Sequence, residues 1–469
     1  MVTIDPTEVS QAANDASGTT KFYRAAWRWH FYAGLYVIPF LIMLAVTGLF
    51  MLWISVLSGR DGEWISVVPT GDVMAVSALS EAAVASVPNG TLVQYIAPRA
   101  ADLAAIFRID VGDDAMMIAV NPYTGDVLSG MSRRAGWYDI ASDIHGTLLL
   151  GVTGDRMIEI AASLAMVLIA SGLYLWWPRD GQGVRVLVPN LAVRGRSLWK
   201  TLHATIGAWI SIVLVLFLIS GLSWSGIWGE KFVQAWNTFP AEKWGAPLSD
   251  TTHASMNHGA TKEVSWVLEQ APMPASGSNV GATGLADSTS VTLDTVAAFA
   301  RQIGFNHRFQ LNVPKDDTGV WTISRDSMSN DSDQPTQDRT VHIDQYTGKI
   351  LADVQFEDYS AYGKGMAVGI ALHEGDMGWW NVALNTIFCL SVIFVSLSGA
   401  VMWWMRRPSK TGRLAAPPMP RDMPLWQGAI LIGLAISLAF PMAGLTLLAV
   451  LGLDVLVLSR IPALRRALS

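Results

Sequence analysis

The chain has 469 residues, 51% of them apolar and only 15% charged, with a mean hydropathy of +0.34 and a formal net charge of −6. Soluble domains carry about 25% charged residues, so this is the composition of a membrane protein with sizeable soluble parts. The negative balance suggests no nucleic-acid partner. The single cysteine, Cys389, excludes an intramolecular disulfide and any zinc or iron–sulfur site of several thiolates within the chain.

A bilayer span needs about 20 apolar residues. The segment before Lys21 is polar, so a cleaved signal peptide is not expected. Apolar runs then follow at 33–56, 157–177, 205–228 and 381–404, and a fifth apolar stretch, 425–459, is broken by Pro441 and reads as two short helices. The expected organisation is a tail (1–28), a first transmembrane helix (29–56), a first external module (57–144), and a histidine-bearing segment with the second helix (145–178). A link (179–200), a third helix (201–228), a second external module (229–372), and a histidine-bearing segment with the fourth helix (373–405) come next. A link (406–423), a hydrophobic hairpin (424–460) and a tail (461–469) close the chain. Several of the twenty tryptophans cluster at the ends of these runs, as an interfacial belt would require.

The basic residues set the topology. Lys21, Arg24 and Arg28 precede the first span, Arg179, Arg185, Arg194, Arg196 and Lys200 lie between the second and third, Arg406, Arg407, Lys410 and Arg413 follow the fourth, and Arg460, Arg465 and Arg466 end the chain. All fall on one side if the N-terminus is cytoplasmic, which satisfies the positive-inside rule. Segments 57–144 and 229–372 then lie outside, in the periplasm of a bacterium with two membranes.

The two external segments are related. Met117–Leu128 and Thr340–Leu351 each read as a strand, a Tyr-Thr-Gly turn and a second strand. A helical pattern at 291–303 precedes the second of these, so each half carries an α+β module, while 271–290, rich in Gly, Ser, Ala and Pro, reads as a flexible loop. The whole is a duplicated unit of span, module, span and link, and parallel repeats of this kind are expected to pack about an axis along the membrane normal.

Four histidines mark the spans. His30 and His203 lie at the cytoplasmic ends of the first and third, each followed four residues later by Gly34 or Gly207. His145 and His373 lie at the external ends of the second and fourth. If the halves face each other across a pseudo-two-fold axis, His30 faces His203 and His145 faces His373. The alternative, His30 paired within its own half, is less symmetric. Two imidazoles facing across an axis suit axial ligation of one haem iron, and glycines one turn away would let a flat ring lie against the helix.

Other features take plainer readings. The steps Thr47-Gly48, Ser220-Gly221, Ser171-Gly172 and Ser398-Gly399 read as close-packing positions between helices. The pairs Trp176-Trp177 and Trp403-Trp404 read as interfacial anchors, and Arg179, Arg406 and Arg407 as topological charges, with haem propionates as the minority reading. The loop His253–His258 could hold a soft metal, while His307 and His342 read as ordinary domain residues.

Trp29-His30-Phe31-Tyr32-Ala33-Gly34, His145-Gly146 with Leu149-Leu150-Gly151, Leu175-Trp176-Trp177-Pro178-Arg179 and the paired Tyr-Thr-Gly hairpins resemble the PepSY-associated transmembrane family over about residues 20–410. The fold this implies is an α-helical integral membrane protein with four core transmembrane helices in two pseudo-symmetric pairs, a C-terminal hydrophobic hairpin and two periplasmic α+β modules. Some members of that family look like di-haem ferric-siderophore reductases of the inner membrane. The resemblance implies two b-type haems, with His30, His203, His145 and His373 as axial ligands of the haem iron, and electron transfer from cytoplasm to periplasm. The partners would be a ferric-siderophore or another ferric complex in the periplasm, and a separate cytoplasmic or quinol donor, since no fused reductase domain is present in this chain. Two other readings stay open: a membrane-anchored binding or regulatory protein without redox activity, and a component of iron-complex uptake.

Overall fold

A computed structural model describes residues 6–133, 135–178, 183–236, 244–257, 263–407, 414, 416–417, 427–457 and 460–461. The chain divides into two compact units. One gathers residues 1–47, 145–229 and 386–469, and the other 48–144 and 230–385.

The first unit is helical. Four helices are long and apolar enough to cross a membrane: α1 (Pro6–Leu57) over Lys21–Leu57, α4 (Val152–Trp176), α5 (Arg196–Leu222) and α8 (Trp379–Arg406). Large apolar side chains such as Val46, Trp209, Ile212, Ile387, Leu390 and Leu397 stand exposed on these helices. On a water-soluble surface that would be costly, but a lipid environment accepts it. Hydroxyls inside the spans bond back to their own helix: Ser211 donates to the Gly207 carbonyl at 2.6 Å and Ser220 to Leu216 at 2.9 Å. This satisfies groups that hydrocarbon could not. The terminal apolar stretch forms two helices, α9 (Gln427–Ala439) and α10 (Pro441–Leu456), with Pro441 opening the second, where its missing N–H costs nothing.

The second unit holds the soluble modules. The first module runs α2 (Val76–Ala85), β1 (Thr91–Ile96), β2 (Ala105–Val111), β3 (Asp114–Val120) and β4 (Val127–Ser132), followed by α3 (Trp137–Thr147). After a small two-stranded sheet, β5 (Leu248–Thr252) with β6 (Pro272–Pro274), the second module repeats the order. It runs α6 (Leu293–Gln302), β7 (Gln310–Asn312), β8 (Val320–Arg325), β9 (Arg339–Asp344) and β10 (Ile350–Gln355), then α7 (Ala361–Glu374).

The two modules share one sheet. The strand order is β10-β9-β8-β7-β1-β2-β3-β4, antiparallel throughout, with the repeats joined where β1 pairs β7. The sequence treats them as separate modules; the structure joins them because β1 and β7 would otherwise be bare edges beside each other. Alternation sends Phe107, Ile109, Leu311, Ile323, Val341 and Ile343 to one face, where all are fully buried beneath α2 and α6. Asp294 on α6 accepts from the Ser77 backbone N–H at 2.9 Å and so ties the two helices. Tyr95 sits edge-on to Phe309 across the seam, ring centres 6.1 Å apart, and 5.3 Å from Phe107.

The Tyr-Thr-Gly hairpins are present and matched. Gly125 (φ 75°) and Gly348 (φ 68°) take the left-handed turn position. Asn121 and Asp344 accept from the backbone N–H of Tyr123 and Tyr346, both at 2.9 Å. The two tyrosine hydroxyls reach the preceding inter-strand loops, Tyr123 to the Ala101 carbonyl (2.8 Å) and Tyr346 to Asp317 (2.9 Å). The segment 271–290 corrects its expectation as a flexible loop. Ala282 and Ile350 exchange backbone hydrogen bonds of 2.8 and 3.0 Å, and Leu285 is buried in the core. Its glycines permit close approach to the β10 hairpin, since a Cβ on Gly284 would strike the Gly348 carbonyl.

Because the aromatic core crosses the seam, the sheet should unfold as one. Phe107→Ala is expected to cost about 3–5 kcal/mol. Hydrogen exchange should speed in β8–β10 as well as in β2–β3; protection retained in the second module would show two independent folding units.

Candidate functional site

In the helical unit, His30 on α1 and His203 on α5 come together with ring centres 6.3 Å apart and planes at 88°. Each is held in the same way by the other helix of its own repeat. The Nδ1 of His30 lies 3.1 Å from the Leu168 carbonyl and 3.1 Å from the Ser171 hydroxyl, both on α4. The Nδ1 of His203 lies 3.0 Å from the Val395 carbonyl and 2.9 Å from the Ser398 hydroxyl, both on α8. Ser171 gives its own proton to Val167 (2.7 Å), and Ser398 to Val395 (2.8 Å), so each hydroxyl oxygen is left to accept. A carbonyl can only accept, so Nδ1 carries the proton in both rings. Nε2 is then the lone-pair nitrogen, the tautomer a metal needs.

The small-residue steps prove more specific than helix packing. Ser171 and Ser398 orient the imidazoles, and the glycines after them clear the space. A Cβ on Gly172 would stand 3.0 Å from His30 Cε1, and one on Gly399 3.5 Å from His203 Cε1. Sequence reading took these steps for helix packing, although a hydroxyl directly before glycine recurs in every span. Gly34 and Gly207 behave differently. A Cβ there would meet only side chains at an ordinary 3.8 Å, those of Ile38 and Leu168 or that of Val395. Packing between helices does not require glycine at either place.

His145 closes α3 in the same unit, and its Nδ1 lies 2.9 Å from the Thr47 hydroxyl. Thr47 donates to the Met43 carbonyl at 2.8 Å, so it too serves as acceptor for the ring N–H. His373 belongs to the other unit, in the last turn of α7, which Gly375 ends in the left-handed conformation (φ 93°). Asn385 donates to the carbonyls of Leu372 and His373 at 2.9 and 3.0 Å, fixing that turn. Beside it in sequence, burial pushes the carboxyls of Glu374 and Asp376 upward, with the Arg60 guanidinium opposing. His145 and His373 thus fall in different compact units, each described within its own.

Trp176 and Trp403 are matched anchors: their indole N–H groups donate to Val186 (3.2 Å) and Leu414 (2.8 Å), folding each link back on its helix. Arg406 stacks over Trp27 at 4.8 Å and Arg407 over Trp404 at 4.2 Å. Arg179, Lys410, Arg413, Arg465, Arg466 and His258 lie outside the described residues.

In the soluble unit, His253 is not a loop ligand. It is fully buried and meets His342, 89 positions away, with the two Nε2 atoms 2.9 Å apart. His253 donates from Nδ1 to the Ala271 carbonyl (2.7 Å), and Thr322 bonds His342 Nδ1 (2.9 Å). His342 Nε2–H therefore donates to His253 Nε2, a neutral pair with Trp244 against both rings. His342, an ordinary domain residue by sequence, is half of this pair, and a direct hydrogen bond leaves no room for an ion between the rings. No group of three or more His, Cys, Asp or Glu side chains that could hold a metal ion occurs among the described residues.

A family model described as the PepSY-associated TM region matches residues 27–406, which takes in both spans of each repeat and both modules. No curated protein matches the chain.

The histidine pair gives the soluble unit an acid limit. Burial pushes His253 down to about 4, and burial with the neighbouring His253 drives His342 well below the ordinary 6.5. The unfolded chain then holds more protons below pH 6.5, so stability is complete above 6.5 and falls as pH drops toward 4. For His253 alone the gap from 6.5 to about 4 amounts to roughly 3 kcal/mol. Between pH 6.5 and 4 the urea midpoint followed by tryptophan fluorescence should fall relative to that of His253→Phe, the gap between the two closing as pH falls; a gap that does not change with pH would contradict this origin.

Proposed function

The chain belongs to the PepSY-associated transmembrane family, and from that premise we propose that it carries electrons across a bacterial inner membrane through two b-type haems to reduce a ferric complex, such as a ferric-siderophore, in the periplasm. The observation that supports this most is the matched holding of His30 and His203. Each ring would hold the iron through its Nε2 atom. The two rings stand 6.3 Å apart. Gly34 and Gly207, which helix packing does not require, fit a flat macrocycle passing the helix face.

Haem supplies a one-electron iron couple when bound. The chain's own residues do the rest. Leu168 with Ser171, and Val395 with Ser398, accept the Nδ1 protons and so aim both Nε2 lone pairs and raise their basicity. Thr47 would do this for His145, and His145 and His373 would serve the second haem. Apolar spans exclude water from the inner site. A separate cytoplasmic or quinol donor supplies one electron for each Fe(III) reduced outside. Reduction weakens the iron's hold on hard oxygen ligands, which releases it.

Full-length protein in detergent should carry two haems per chain. His30→Ala and His203→Ala should each remove one, and His145→Ala and His373→Ala the other, by pyridine haemochrome assay. A folded, colourless preparation after expression with ample haem defeats the reading. Ser171→Ala with Ser398→Ala should keep both haems and raise the midpoint potential of one only, because a ring N–H left with the backbone carbonyl as its single acceptor makes a less basic ligand.

A further inference from the structure

The sheet ends on two edge strands that duplication makes equivalent, β10 in the second module and β4 in the first. Each follows a Tyr-Thr-Gly turn, and Ile350-Leu351 of β10 stand at the places of Val127-Leu128 in β4. The ladder bond just before them is the same in both. Asn121 N–H donates to the Asp126 carbonyl and Asp344 N–H to the Lys349 carbonyl, both at 2.9 Å. Backbone groups alternate in direction along an antiparallel strand, so Ile350 and Val127 both turn their N–H and carbonyl away from the sheet.

On β10 those groups are used. Ala282 accepts from Ile350 N–H at 3.0 Å and donates to its carbonyl at 2.8 Å, in an antiparallel bridge. The covering chain comes close, since a Cβ on Gly281 would stand 2.9 Å from the Ile350 carbonyl oxygen. Leu351 is 2% exposed, packed with Ala246 and Met273.

On β4 the same positions are bare. Among the described residues, nothing from outside the sheet bonds the Val127 N–H or carbonyl. Val127 is 41% and Leu128 42% exposed. The chain entering α2 covers only the turn. Met74 takes the place of Leu285: a Cβ on Gly125 would lie 3.4 Å from the Met74 side chain, as one on Gly348 would lie 2.9 Å from Leu285. Ala282 stands three residues before Leu285, whereas Gly71 stands three before Met74, and a Cβ there would meet nothing within 4 Å. Charges and prolines ordinarily guard an open edge; β4, Val-Leu-Ser-Gly-Met-Ser, has neither.

We propose that the β4 edge binds an extended segment of a partner protein as an added antiparallel strand, in the way that β10 receives Ala282. Paired main-chain bonds at Val127 supply the attraction, and the exposed Val127 and Leu128 side chains favour an apolar neighbour. The close approach at Ile350 selects a segment with glycine beside an alanine-sized residue. This assignment depends on neither haem.

The test uses full-length protein in detergent and a labelled Val-Gly-Ala-Thr-Gly-Leu peptide, the sequence of residues 280–285. In the free protein the Val127 amide should exchange quickly and the Ile350 amide slowly. The peptide should bind saturably, by fluorescence anisotropy, and slow exchange at Val127. N-methylation of its alanine, or Val127→Pro, each removes one edge hydrogen bond and should weaken binding about tenfold. An edge strand accepts proline where the N–H faces outward, so the variant should keep its fold, read from protection of β2 and β3. No saturable binding, or equal binding of the methylated peptide and by Val127→Pro, would overturn the proposal. So would Val127 protection without peptide that vanishes on dilution, which assigns the edge to a second copy, or that appears only in lipid nanodiscs, which assigns it to the bilayer.

Discussion

An imidazole buried in an apolar bundle must find an acceptor for its ring N–H. In this protein that constraint governs the helical unit. His30 and His203 each give Nδ1–H to a helix carbonyl and a serine oxygen on the neighbouring span of the same repeat. A lone ring N–H in hydrocarbon would be a cost; held this way it becomes a positioning device. The glycine after each serine lets the ring come that close. Spans one and two, and spans three and four, are therefore bound together by the same contact that orients the imidazole.

Duplication supplies the second theme. The repeats match in their histidines, their serine–glycine steps, their indole anchors and their tyrosine-held hairpins. In the soluble unit they go further and complete one another's sheet. β7 spans only three residues, and its pairing with β1 is just as short. The seam is held less by strand length than by Tyr95 against Phe309 on one face and Gln94 to Gln310 on the other.

Much of this was legible in the sequence because its signals are local. Apolar runs mark the spans, a turn glycine marks each hairpin, and four histidines at helix ends are conspicuous in so apolar a chain. Apart from His30 facing His203, which the duplication suggested, contacts between distant positions were not legible. Ser171 and Ser398 looked like packing residues because the carbonyl they share with a histidine is revealed only when α1 meets α4 and α5 meets α8. His253 and His342 are 89 positions apart, and neither sequence environment announces the other. The segment 271–290 has the composition of a loose loop, yet its glycines serve close approach to the second hairpin rather than freedom. The joining of two modules into one sheet follows from edge pairing, which composition does not record.

Where the repeats stop matching is as informative as where they agree. A group lying on the pseudo-two-fold axis sees the same side chains from both halves, which is what His30 and His203 offer. The polar face of the seam begins from an equally symmetric start, one glutamine from β1 and one from β7. The symmetry is broken by Asp331 in the second module, which takes the Gln310 amide and so leaves the Gln94 oxygen unpaired. The buried carboxyls around it, Asp326 and Asp338, come from that same stretch of the second repeat. The duplicated frame thus provides symmetry in the membrane helices, and divergence of a single loop provides direction on the sheet.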